Sequence, residues 1–282
     1  MIKNRSLLLS HGNTRDRETV LDILAAGLSA PDPYANTKRM VRLTGKRLLI
    51  GLPEFSLPEG RDPVVFDLEK IKNVYIVGGG KSIQPIVKAL EDTLGDLITG
   101  GHICIKKGDE AMVSRVGYTF AGHPSPDEDS VSGAQKIIDI ERKAREGDIV
   151  FWCNSGGGTS LMALPAEGLT LQDLLAVNRL LYFEHGASMG EINALRFPMT
   201  NLRSKHAKHV RGATLIKIDV DEQPLKARNQ SYGSLREAYP DDYDRAFAVL
   251  EKYDCFDKIP ESVRAFLKKR DQRYIHPTEA EL

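Results

Sequence analysis

The chain has 282 residues, 39 Lys and Arg against 39 Asp and Glu, and a 41% hydrophobic share. That is the make-up of an ordinary globular protein, with enough chain for one large α/β domain or two smaller ones. Zero net charge removes the global field that nucleic acid or an anionic membrane would meet, and no apolar run approaches the ~20 residues of a membrane span. The three cysteines, Cys104, Cys153 and Cys255, lie too far apart for a zinc motif or a disulfide framework. Cys104 and Cys153 sit in apolar runs and read as buried thiols. The N-terminal run "SLLLS" is too short for a signal peptide, so the expected location is the cytoplasm.

In chain order, Val20, Leu21, Ile23, Leu24 and Leu28 recur at helical spacing and predict a helix over 14–28. "APDPY" breaks it, because proline cannot donate to a helix and biases its predecessor to extended geometry. "LTGKRLLIG" predicts a turn and a short strand, followed by a Pro-rich loop to Pro63. A buried strand is predicted over 74–77, a helix over 83–94, strands over 101–105 and 118–121, and a helix over 130–145. "GDIVFWCN" reads as a strand, 170–183 and 191–203 as helices, and "ATLIKIDV" as the last clear strand. Residues 241–270 read as two helices, the second starting near Pro260. Strands alternating with helices predict a parallel sheet covered by helices on both faces.

Open parallel sheets collect ligands at the carboxyl ends of their strands. Three loops fall at such ends: "GGGKS" after Val77, "NSGGGTS" after Cys153 and "DVDEQ" after Ile218. The first is not a Walker A loop, since Tyr75 stands where its leading glycine belongs. Nor is it GxGxxG, because Ile83 takes the third glycine position. It reads as a glycine turn, Gly78, Gly79 and Gly80, entering a helix with Lys81 at its mouth. Such a turn either holds an anion or simply exposes a solvated lysine.

In "NSGGGTS", Gly156, Gly157 and Gly158 let the backbone approach a ligand with several amides, a nest suited to phosphate. Ser155, Thr159 and Ser160 add hydroxyls, and Ser155 lacks the setting of a nucleophile elbow. In "AGHPSPDEDS", Asp127 or Ser130 is expected to cap the next helix, which leaves His123 without a role. "RSKHAKHVRG" reads as a solvated basic helix end, with phosphate attraction as the sharper alternative and nucleic acid a distant third for want of aromatics. His206 and His209 at i, i+3 are suitable metal ligands, but no carboxylate is interleaved. Asp219, Asp221 and Glu222 either hold Mg²⁺ together with phosphate oxygens or form a plain polar loop.

These blocks, in their order and spacing, resemble the class II glycerate 2-kinases, ATP-dependent enzymes that phosphorylate D-glycerate at its 2-hydroxyl. The likeness starts at "LLLSHGNTRDRETVLDILAAGLSAPDPY" and runs through "VYIVGGGKS", "AGHPSPDE", "NSGGGTSLMALPAEGLTL" and "GASMGEINALR" to "AFAVLEKYDCFDKIPESVRAFL". It implies a Rossmann-like three-layer α/β/α sandwich with a mostly parallel sheet. Residues 1–282 would be the family's N-terminal domain, with its smaller C-terminal domain absent and the active site in the cleft between the two. It further implies Lys81, Arg196 and Asp219 as catalytic residues and Asp219 as a metal ligand. Gly78, Gly79 and Gly80, with Ser155, Gly156, Gly157, Gly158, Thr159 and Ser160, would bind ATP, and Mg²⁺ would accompany it. The chain departs from the family's pattern at Phe197, where a lysine is usual, and beyond Asp219.

The expected reaction is therefore phosphorylation of D-glycerate, or a related small hydroxy acid, to 2-phosphoglycerate. One alternative is a ligand-binding relative without turnover, or one subunit of a split enzyme whose C-terminal domain comes from a second chain. Another is a hydroxypyruvate reductase, a label some relatives carry, although no dinucleotide fingerprint is present. No nucleic-acid or membrane partner is expected.

Overall fold

A computed structural model describes residues 2–52, 63–202, 205–220 and 242–277. The chain opens with α1 (Arg5–Leu8), α2 (Thr14–Ser29) and α3 (Pro33–Met40). The Asn13 side chain caps α2 by accepting from the Asp16 amide, and Asp32 caps α3 by accepting from the Ala35 amide. "APDPY" thus ends one helix and starts the next, with Pro33 in the first turn, where its missing N–H leaves no bond unmade. Of the apolar stripe that predicts α2, only Leu21 is buried, while Val20, Ile23, Leu24 and Leu28 are exposed.

The single strand expected near residue 45 is a hairpin of β1 (Val41–Thr44) and β2 (Arg47–Ile50). β3 (Val64–Asp67) joins it antiparallel. Most of the expected Pro-rich loop lies outside the described residues. Val41 and Leu48 face inward and pack beneath α4 (Ile83–Leu94).

The main sheet uses β4 (Val74–Gly79), β5 (Ile98–Lys106), β6 (Gly117–Ala121), β7 (Ile149–Ser155) and β8 (Thr214–Val220). Its order is β6-β5-β4-β7-β8, and every neighbouring pair is parallel. Period-two alternation distributes each strand to two layers. Ile76, Phe151 and Cys153 meet Ile83, Ile86 and Leu90 of α4 on one face. Val77, Val150 and Trp152 meet Ala134, Ile137 and Ile138 of α5 (Glu128–Glu141) on the other. Both faces are covered, so β4 and β7 read as apolar runs rather than alternating ones. The α/β sandwich with a parallel sheet is therefore what the alternation predicts.

Between β7 and β8 lie α6 (Gly158–Leu161), α7 (Leu171–Asn178), α8 (Met189–Met199) and α9 (His206–His209). After β8 come α10 (Asp242–Lys252) and α11 (Glu261–Lys269). The helix expected over 170–183 changes character at Asn178, where α7 gives way to a π-helical stretch, Arg179–Glu184. Leu181, Leu195, Leu250 and Leu267, drawn from this stretch, α8, α10 and α11, share a separate apolar cluster. It meets the sheet at a seam where Pro165 bridges Thr200 and the Asn201 amide donates to Leu164 O at 2.8 Å.

The basic run after α8 is not a solvated helix end. Lys205 and His206 are 1% and 0% exposed, and His209 is buried as well. His206 Nδ1 pairs with the Glu141 carboxylate at the end of α5, and its ring stacks on Trp152 with centroids 3.9 Å apart. Glu141 lies far away in sequence, so no local pattern announces that partner. All three cysteines are buried. No helix among the described residues is long and apolar enough to cross a membrane.

Candidate active site

From β4 the chain builds outward through β5 and β6, then returns to lay β7 on the other side of β4. The connections leaving these two strands part to opposite faces, into α4 and into α6. Such a reversal opens a crevice at the carboxyl ends of neighbouring strands. Both glycine loops lie there. The Lys81 amide donates to Gly156 O at 2.9 Å, and the Ser82 amide donates to Ser155 Oγ at 2.9 Å. Gly80 has φ +152°, and a Cβ there would stand 2.1 Å from Ser155 Oγ. Only glycine lets the two turns touch.

These bonds give the two loops different work. In "GGGKS" the amides of Gly80, Lys81 and Ser82 are all taken, by Cys104 O, Gly156 O and Ser155 Oγ. The turn is structural, and its contribution to the rim is the exposed Lys81 side chain. In "NSGGGTS" the amides of Gly156, Gly157, Gly158 and Thr159 have no acceptor among the described residues. A run of free N–H groups beside a lysine suits an anion, above all a phosphate. Ser155 is buried in its bond to Ser82, whereas Ser160 Oγ donates to Pro124 O at 2.7 Å.

The end of β6 adds a third strand end to the rim. The loop leaving β6 carries His123, and Asp127 closes it by capping α5 in a reciprocal box with Ser130. Burial works to raise the Asp127 carboxyl, but Lys107 and the amides of Ser130 and Gly122 outweigh it and hold it at about 2. Gly157 has φ +93°. A Cβ on it would lie 2.9 Å from His123 Cδ2 and Nε2 and 3.1 Å from Lys81 Cγ. His123 is thus a rim residue, and its readable signal is its place directly after a strand's carboxyl end.

Asp219 stands on β8 opposite Asn154, whose Nδ2 donates to Asp219 Oδ1 at 3.0 Å. Lys217 Nζ lies 2.8 Å from Asp219 Oδ2. Each oxygen of this carboxylate thus has one neighbour and keeps a lone pair for a further donor or cation. No group of three His, Cys, Asp or Glu side chains converges among the described residues. Asp221 and Glu222 lie outside the described residues. Arg196 sits on α8, where its Nε donates to Asn178 Oδ1 at 2.7 Å and burial lowers its guanidinium to about 10. No hydrogen bond or ion pair joins it to the glycine loops among the described residues.

A parallel sheet whose strand order turns between β4 and β7, with a lysine and amides lacking acceptors among the described residues at that point, is an α/β architecture suited to an anion. The family described as "Domain of unknown function (DUF4147)" matches residues 19–268, and the chain belongs to it. It is 32% identical over 256 residues to the Glycerate 2-kinase of Pyrococcus horikoshii, covering 90% of this chain and 54% of that one. Among solved structures it is similar to a Pyrococcus horikoshii OT3 protein, with TM-score 0.76 and 28% identity over 93% of this chain and 57% of the other. A glycerate kinase from Thermotoga maritima gives TM-score 0.58 at 28% identity, over 69% and 47%. The chain spans about half the length of the curated relatives it matches. The resemblance to class II glycerate 2-kinases is borne out.

Proposed function

We propose that this chain supplies the phosphate-binding wall of a glycerate 2-kinase, moving the γ-phosphoryl group of ATP to the 2-hydroxyl of D-glycerate or a related small hydroxy acid. The observation that carries the reading is the Lys81–Gly156 bond, which sets a cationic side chain against four free amides at one strand-end crevice. Phosphoryl transfer asks the protein mainly for positioning and charge neutralisation. The amides of Gly156, Gly157, Gly158 and Thr159 would hold phosphate oxygens, and Lys81 would offset charge on the group in flight. Asn154, tied to Asp219, would fix the base of the loop. Arg196 would serve the glycerate carboxylate through its Nη groups, its Nε being fixed by Asn178. The other wall of the cleft would be a smaller domain, and a partner chain that supplies it belongs to the proposal, as do magnesium arriving with ATP and a cytoplasmic setting.

The test is ADP release from ATP, Mg²⁺ and D-glycerate, with Lys81→Ala as the diagnostic variant. Loss of one charge-stabilising group should lower kcat/KM by about a hundredfold while the melting temperature holds. Glycerate or nucleotide binding by calorimetry with no turnover would replace this reading with that of a ligand-binding relative. Oxidation of NADH or NADPH by hydroxypyruvate would replace it with a reductase, which the absence of a dinucleotide fingerprint speaks against.

A further inference from the structure

His123 lies on the rim with no task in phosphate binding. Both ends of its loop are pinned: the Gly122 amide donates to Asp127 Oδ1 at 3.0 Å, and Pro124 O accepts from Ser160 Oγ of α6. The Cδ2–Nε2 edge of the ring occupies the space that any side chain at Gly157 would fill, with Lys81 against the same point. Neither ring nitrogen has a partner among the described residues. A partly buried imidazole, on a loop held at both ends and free at both nitrogens among the described residues, faces the amide run.

The groups acting on it are basic. Burial first, then Lys81 from the turn after β4 and Lys106 at the end of β5, lower its pKa from the ordinary value. The carboxylate of its own loop, Asp127, is turned toward Lys107 and the amides of Ser130 and Gly122. At neutral pH the ring is therefore uncharged and can accept a proton.

We propose that His123 is the acid–base residue of the transfer, a role that rests on the phosphotransfer reading above. Its neutral Nε2 takes the proton of the substrate hydroxyl as that oxygen bonds to the γ-phosphorus. The bond from phosphorus to the bridging oxygen breaks, its electron pair leaves with ADP, and the proton passes from Nε2 to solvent. Proximity to both Lys81 and the amide run puts the base beside the phosphoryl group it must serve.

Imidazole ¹⁵N spectra of the labelled chain test this without requiring turnover, with His123→Gln giving the assignment. His123 should titrate below the ordinary ~6.5, and D-glycerate should shift its Nε2 resonance while exposed His11 stays still. With active protein, His123→Gln should lower kcat about a hundredfold, leave KM little changed and remove the acid limb of the rate profile. Calorimetric binding of D-glycerate with the His123 resonance unmoved overturns the assignment and leaves the proposed function standing. So does an H123Q enzyme that loses only KM or keeps the wild-type pH profile. A chain that binds neither glycerate nor nucleotide overturns both readings.

Discussion

Gly157 and Gly80 serve the site for different reasons, and substitution separates them. At Gly157 an added methyl meets the flexible Lys81 stem and the edge of His123, which can shift, and takes on a left-handed conformation worth about 1 kcal/mol. Gly157→Ala should stay folded and lose about tenfold or more in phosphate or nucleotide affinity, read by calorimetry. At Gly80 the methyl lies 2.8 Å from the backbone N and O of Ser155, besides its Oγ, and β7 cannot retreat. Gly80→Ala should cost about 3 kcal/mol in urea unfolding. Comparable stability losses in the two variants would refute this division. Glycine content and an adjacent lysine make these loops visible in sequence. Which amides are free is not visible, because Ser155 and Gly156, which take the Lys81 and Ser82 amides, belong to another loop.

At the level of elements, α5 shows how a cap couples stability to pH. The folded Asp127 carboxyl sits at about 2, below the ~3.9 of an unfolded aspartate. A depressed folded value means that the contribution is complete above pH ~4 and is lost as pH falls toward 2. Asp127→Ala should cost about 1 kcal/mol at neutral pH and show a smaller further loss through that acid window. Asp127→Asn should keep most of the neutral-pH stability, since an amide oxygen also caps. An unchanged acid slope in both variants would rule the carboxylate out. The bounds of α4 match the spacing of Ile83, Ile86, Val87 and Leu90, because a helix on a sheet must bury one face. α9 escaped for the opposite reason. Lysine and histidine predict solvent, yet a distant Glu141 and a facing Trp152 create a buried polar site for them. The exposed stripe of α2 has no such account: its spacing is helical, and the described residues leave it uncovered.

At the scale of the molecule, the parallel sheet and the helical cluster meet along residues 164–166 and 199–201, through backbone hydrogen bonds and the Pro165–Thr200 bridge. That seam should make the two parts unfold together. The chain's single tryptophan, Trp152, reports on the sheet, and Cys255, buried in the helical cluster, reports on the other side. Tryptophan fluorescence and pulsed thiol labelling of Cys255 should give one shared urea midpoint. Two separated midpoints would show that the seam does not couple them. The layered architecture was legible because βα alternation leaves few arrangements open. Strand order was less so, since nothing local says that β7 returns to β4 instead of extending past β6.

That return has a consequence for the newly made chain. Until β7 arrives, β4 carries an open edge, and Lys81 faces no partner from the triple-glycine turn. A polypeptide interrupted earlier on the ribosome would carry the lysine half of the proposed anion site without the amides that complete it. Ligand in the cell would then favour finished molecules alone, by mass action, and leave fragments to proteolysis.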